Sequence, residues 1–227
     1  MAIAGYDGDL KKLRDDPPLA PLEPDTLRMW FSVDWRDRPE LEVIATAPIM
    51  TGLRAETVRH LAASWIVDEG EGEGAAEPLS IHVPDRAHCV VLDDSRPCWD
   101  CQNARDGYFT TSRHSRTIPV HDEPLAQLLR GLARVREHIA INNLHRAFNQ
   151  MLDRSPVDRE VSYQALVHTF GVALGAKGYD REEIHRRIGH DPATPYSSMD
   201  YAEDYVNIGT TPPWDELAAL GTGEFRP

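Results

Sequence analysis

Lysine is nearly missing from this chain of 227 residues: Lys11, Lys12 and Lys177 are the only three among 24 basic residues, and the other 21 are arginine. Positive charge as a whole is in deficit, with a net charge of −13. This argues against a broadly basic nucleic-acid binder, whose affinity comes from counterions released at Lys and Arg contacts. No apolar run approaches the roughly 20 residues that span a bilayer, which excludes a membrane partner of that kind. The N-terminus, "MAIAGYDGDLKKLRDD", lacks the basic start and apolar stretch of a signal peptide, so the sequence reads as cytoplasmic. Only three cysteines occur.

What is present is an acidic, arginine-rich composition that suits a salt-loving host, although a GC-rich genome alone produces the same arginine bias. At high ionic strength, screening confines electrostatics to a few ångströms, so local charge matters more than the total. From Asn103 to Arg146, seven arginines face four acids. That is a locally basic stretch in an acidic protein.

Read along the chain, residues 1–24 form an irregular Pro/Asp-rich tail, and Asp25 is an N-cap candidate for a first helix. "PELEVIATAPIMTGLRAETVRHLAASWI" predicts two helices, the second starting after Gly52. "DEGEGEGAAEP" is an acidic, Gly-rich loop. "LSIHV", "HCVVL" and "YFTTSRHSRTIPV" predict short strands within residues 79–120. Leu and Ile spaced by three and four residues make Glu123–Leu152 strongly helical. "VSYQALVHTFGVALGAKGYDREEIHRRIGH" then predicts two helices with a turn at Gly178. Residues 211–227 read as a C-terminal tail.

Five blocks in this order resemble the catalytic domain of tyrosine recombinases, the phage-integrase family. They are "TGLRAETVRHLAASWI", "SRTIPVHDEPLAQLL", "VSYQALVHTFGVAL", "GYDREEIHRRIGH" and "SSMDYAEDY". The resemblance covers residues 25–210 and implies an α+β fold, mainly helical, with a small antiparallel β-sheet. It also implies double-stranded DNA as a partner, together with further copies of the chain or a full-length recombinase. No cofactor is needed for the chemistry: a tyrosine attacks a phosphodiester, arginines and histidines hold its oxygens, and a lysine protonates the leaving 5′-oxygen. Family members also carry an N-terminal helical domain that clamps the DNA, so this chain reads as a solo catalytic-like domain or a truncated one.

Matched block by block, Arg54 falls on the family's first arginine, His190 on its last histidine and Tyr201 on the nucleophile, with Tyr196 and Tyr205 as weaker choices. The acid that follows the arginine has slipped: Thr57 stands at its position and Glu56 one residue early. Two functions have no match. Gln164 replaces a histidine and Val167 replaces the second arginine, while the lysine falls on Thr110 or Thr111. Valine cannot donate a hydrogen bond, and losing a charged clamp from a dry site costs orders of magnitude in rate. Arg113 is a poor substitute acid because its pKa is so high. The resemblance implies that Arg54, His190 and Gln164 share one concave surface with Val167 buried in it or lining it, and that Arg54, Arg113 and Arg116 form a DNA-binding face.

The cysteines pose a separate question. Cys98 and Cys101 form Cys-x-x-Cys, with Cys89 nine residues before Cys98. Two thiolates from one turn reach adjacent corners of a tetrahedron, so a structural zinc held by Cys89, Cys98, Cys101 and a histidine, His114, is one reading. Haloarchaeal members of the resembling family carry a similar insert. Unliganded thiols and a redox pair are the others. Three functions therefore stay open: a recombinase-like DNA-binding protein impaired in strand cleavage, an active recombinase forming a 3′-phosphotyrosyl link through Tyr201, and a zinc-stabilised protein-interaction domain.

Overall fold

The structure is a computed structural model and describes residues 20–34, 38–68, 79–89, 101, 108–110, 115–139, 144–157, 161–189 and 198–220; for residues 88, 108–110 and 198–202 it describes the backbone alone. Among the described residues, eight α-helices surround a small antiparallel sheet. The helices are α1 (Pro24–Phe31), α2 (Pro39–Thr51), α3 (Ala55–Arg59), α4 (Glu123–Val135), α5 (Leu144–Arg154), α6 (Tyr163–Ala176), α7 (Arg181–Ile188) and α8 (Ser198–Gly209). The strands are β1 (Ile66–Val67), β2 (Ser80–Val83), β3 (Arg86–His88), β4 (Tyr108–Thr110) and β5 (Arg116–Pro119). This is the mainly helical α+β architecture that the resemblance implies.

Two helices form the centre. α2 is buried at Leu41 and continuously from Val43 to Thr51, and α6 from Ala165 to Gly175. A helix that is apolar on every side belongs inside a core rather than at its surface. Small residues let α8 lie directly on α6: a Cβ at Gly171 would strike the Tyr205 ring, and one at Gly175 the Tyr205 backbone. Thr169 of α6 accepts the Leu22 N–H at 2.7 Å and donates to the Ala165 carbonyl at 2.8 Å, fastening the segment that leads into α1. At the other end, Leu217 and Leu220 are also buried, so the packed body reaches past residue 210.

The sheet has the order β1–β2–β5, all antiparallel, with Val83 opposite Arg116 and Ile81 opposite Ile118. Alternation of period two puts Ile81, Val83 and Ile118 in the core and leaves His82 and Thr117 outside. β3 and β4 form a separate two-stranded ladder. The run "YFTTSRHSRTIPV" therefore supplies strands to two ladders. β1 lies before the span where the sequence places the sheet, and "HCVVL" contributes a strand that begins earlier, at Arg86, with residues 90–92 outside the described residues.

The strongly helical stretch Glu123–Leu152 forms two helices, α4 and α5. Arg136 is extended (φ −140°, ψ 136°), and the chain leaves α4 to pair His138 with Ala62; the Ala63 N–H donates to Glu137 O and the Ile139 N–H to Leu61 O. Backbone pairing with a distant segment overrides the local apolar spacing. Asp122 opens α4 by accepting the Leu125 N–H at 2.9 Å.

α2 ends where Gly52 takes the left-handed conformation (φ 69°), and this turn aims the following residues into α3. A Cβ there would lie 2.5 Å from Phe170 Cδ1. Gly52→Ala combines the left-handed penalty with overpacking, so it should lower unfolding stability by about 2–4 kcal/mol. Urea denaturation with an unchanged slope checks this; a midpoint equal to that of the natural chain would show that the turn tolerates a side chain.

Candidate functional site

Arg54 stands directly before α3, in extended conformation, with its side chain 31% exposed. Its Nε is buried and has no acceptor among the described residues, and the Glu56 carboxylate lies 4.0 Å from Nη1, a long and weak ion pair. Arg116, at the start of β5, sends its guanidinium against the end of α7. Gly189 there is left-handed (φ 75°), and a Cβ on it would collide with that guanidinium. Nε and Nη2 of Arg116 are both buried without an acceptor among the described residues.

Electrostatics ties these groups together. Burial draws the Arg116 pKa down from its ordinary 12.5 to about 10, and the charge of Arg54 adds to the fall while Glu56 opposes it. Arg116 remains a cation at neutral pH all the same. His168 on α6 is pulled down to about 4, first by burial and then by Arg54. Its Nδ1 is hydrogen-bonded to the Tyr205 hydroxyl at 2.5 Å. Tyr163, in the first turn of α6, has a buried hydroxyl without a hydrogen-bond partner among the described residues, and burial and the Glu56 charge hold it well above its ordinary pKa.

Arg54 is thus the charge felt by Arg116 and His168, and two guanidiniums converge with buried N–H groups left over. A buried donor without a partner costs roughly 1–3 kcal/mol, so such a site is poised for an acceptor. A tetrahedral oxyanion offers several acceptors with the geometry that guanidiniums favour.

The fates of the sequence candidates differ. Val167 is fully buried in the hydrophobic core, and Gln164 is half-buried one turn before His168. Tyr201 lies in α8, but its side chain is outside the described residues, as are His190, Thr111, Arg113, Cys98 and His114 entirely; Thr110 ends β4, described by its backbone alone. Tyr205, fully buried and bonded to His168, is a packing residue. Lys177 does not stand in for the missing lysine. Its Nζ donates to the Leu220 carbonyl, and it lines a cavity of about 240 Å³ with His121 and Arg187 that includes neither Arg54 nor Arg116.

A second cluster contains two of the cysteines expected to bind a metal, Cys89 and Cys101, with a histidine that was not foreseen. His60, the residue that ends α3, meets Cys89 and Cys101, and the three ligand atoms all lie within 4.8 Å of one another. This group is able to hold a metal ion. His60 carries no sequence signal, because it lies far from the cysteines and in no ligand spacing.

Neither a protein-family model nor a curated protein sequence matches the chain. Among solved structures it is similar to the crystal structure of XerA recombinase, with TM-score 0.56 and 14% identity over 92% of this chain and 65% of that one. This chain thus spans about 65% of the length of that structure. The likeness gives the fold: the mainly helical catalytic-domain architecture of tyrosine recombinases with its small antiparallel sheet.

The neutral His168 makes stability depend on pH. A base whose pKa is depressed by folding binds fewer protons in the native state, so its contribution is complete above about pH 6.5 and is lost as pH falls toward 4. Between about pH 7 and pH 4.5 the loss amounts to roughly 2–3 kcal/mol. The His168→Gln variant should lose less stability than the natural chain over this interval, by about that amount. Parallel urea curves with equal acid losses in both proteins would remove His168 from the account.

Proposed function

We propose that this chain is a tyrosine-recombinase-like protein that grips the DNA backbone, is impaired in strand cleavage, and acts in or regulates DNA recombination. The observation that carries the reading is the pairing of Arg54 with Arg116, two cations whose buried donors lack acceptors among the described residues. Non-bridging phosphate oxygens would satisfy them. The fold likeness to XerA recombinase supports the same reading.

Val167 removes the second family arginine from α6, and its complete burial leaves no room for a charged replacement. Arg116 supplies a guanidinium from the sheet side instead. Holding a phosphate therefore survives the loss, whereas the acid that should release the 5′-oxygen has no charged replacement at Thr110 or Thr111. Binding with slow or absent cleavage is the outcome. No cofactor takes part, and zinc in this reading is structural. The partners are double-stranded DNA and either further copies of the chain or a full-length recombinase. The acidic, lysine-poor composition suits the cytoplasm of a salt-rich host.

Backbone contacts make binding fall steeply with salt and discriminate poorly between sequences. Arg54→Ala and Arg116→Ala should each weaken duplex binding by roughly tenfold to a hundredfold at low salt and reduce the salt slope by about one. Fluorescence anisotropy across a salt series reads both effects. A nicked suicide duplex should trap little covalent adduct; abundant adduct that disappears in Tyr201→Phe would instead establish an active recombinase with Arg116 as its second arginine. If the natural chain fails to bind DNA even at low salt, protein interaction becomes the better account.

A further inference from the structure

We infer that His60, Cys89 and Cys101 form a structural zinc site that fastens the chain between β3 and β4 to the helix presenting Arg54. The three residues come from separate parts of the sequence and are 7%, 1% and 3% exposed. His60 Nε2 lies 3.4 Å from Cys101 Sγ. Both cysteines are thiols outside any disulfide.

The imidazole is already set in the tautomer that a metal requires. Its Nδ1 lies 2.6 Å from the Glu56 carbonyl oxygen, which can only accept, so Nδ1 carries the proton. Nε2 is then the lone-pair nitrogen, and it faces the sulfurs. A backbone carbonyl that fixes the ring through the other nitrogen is the outer-shell partner that metal-bound histidines use.

Distances agree. Zinc at about 2.3 Å from sulfur and about 2.1 Å from nitrogen, with tetrahedral angles, separates its ligand atoms by roughly 3.6–3.8 Å. The observed 3.4 Å and the 4.8 Å outer bound bracket that value, so closure needs shifts of about an ångström or less. Thiolates with one imidazole select zinc over the harder divalent ions. Zinc takes a further ligand; the sequence offers Cys98 in its Cys-x-x-Cys with Cys101, at a position outside the described residues.

The site also explains a weak element. α3 has five residues, far fewer than a helix needs to persist alone. Arg54 stands at its start and His60 at its end, so a metal at His60 holds the short helix from behind and limits the ways Arg54 can turn.

The test uses the full chain purified under reducing conditions and loaded with Zn²⁺, then with Co²⁺. About one zinc per chain is expected by elemental analysis. Co²⁺ should give a thiolate-to-metal charge-transfer band, and chelation should lower the melting temperature. His60→Ala and Cys89→Ser should lose the bound metal, whereas His114→Ala should keep it. Should His60→Ala not fold, His60→Cys serves instead: it retains zinc and strengthens the cobalt–thiolate band by one added sulfur. Failure of the natural chain to bind Zn²⁺, full occupancy in His60→Ala, or a cobalt spectrum unchanged in His60→Cys each overturns the assignment.

Discussion

Holding Arg116 inside the protein beside Arg54 is electrostatically uphill, and much of the surrounding architecture exists to keep it there. Desolvation and like charge both act against the guanidinium, which is why its pKa falls to about 10. Three features oppose that cost. The β2–β5 register fixes the Arg116 backbone opposite Val83, so the residue cannot slide out of the sheet. Gly189 leaves open the space that the side chain fills, and a Cβ on it would evict the guanidinium. Gly52, closing α2 in a left-handed turn, delivers Arg54 to the same region. Among the described residues none of the three involves a carboxylate in close contact; Glu56 acts on Arg116 only through its charge.

The same region also bears on α6. At Val167 this helix contributes an apolar side chain that is fully buried and joins the core. His168, the next residue, is bonded through its Nδ1 to Tyr205 and lies within reach of the Arg54 field. Burial on every side makes α6 a packing element, while the cations of the region stand on the sheet and on the turn before α3.

Much of the frame was legible in the sequence because it is written in local terms. The named N-cap, Asp25, lies instead inside α1, which begins at Pro24; Asp122, Ser162 and Asp180, not singled out in the sequence, each accept an N–H from the first turn of the helix that follows. Gly178 and Gly189 mark turns with positive φ, and the alternation in "LSIHV" and "RTIPV" gives half-buried strands. The break at Arg136 was not legible, since it depends on pairing with Ala62 across the fold. The family resemblance singled out Arg116 for a DNA-binding face, but its place beside Gly189 was not readable. Three elements distant in sequence must meet before that place exists. His60 was invisible for the same reason: "TVRHLA" has no ligand spacing, and only the folded chain brings it to the cysteines.

α3 shows how a segment too short to be stable alone can still position a functional side chain. Its backbone is fixed at the front by the Gly52 turn and at the back by the His60 ring, whose Nδ1–H donates to the Glu56 carbonyl. Beyond His60 the chain turns into the pairing of Ala62 with His138, which anchors it against the exit from α4. A five-residue helix gains its rigidity from those attachments and not from its own hydrogen bonds. Loosening any of them would leave Arg54 charged and present but aimed less well. On the proposed function, such a change would lower affinity for duplex DNA well before it registered in the fold.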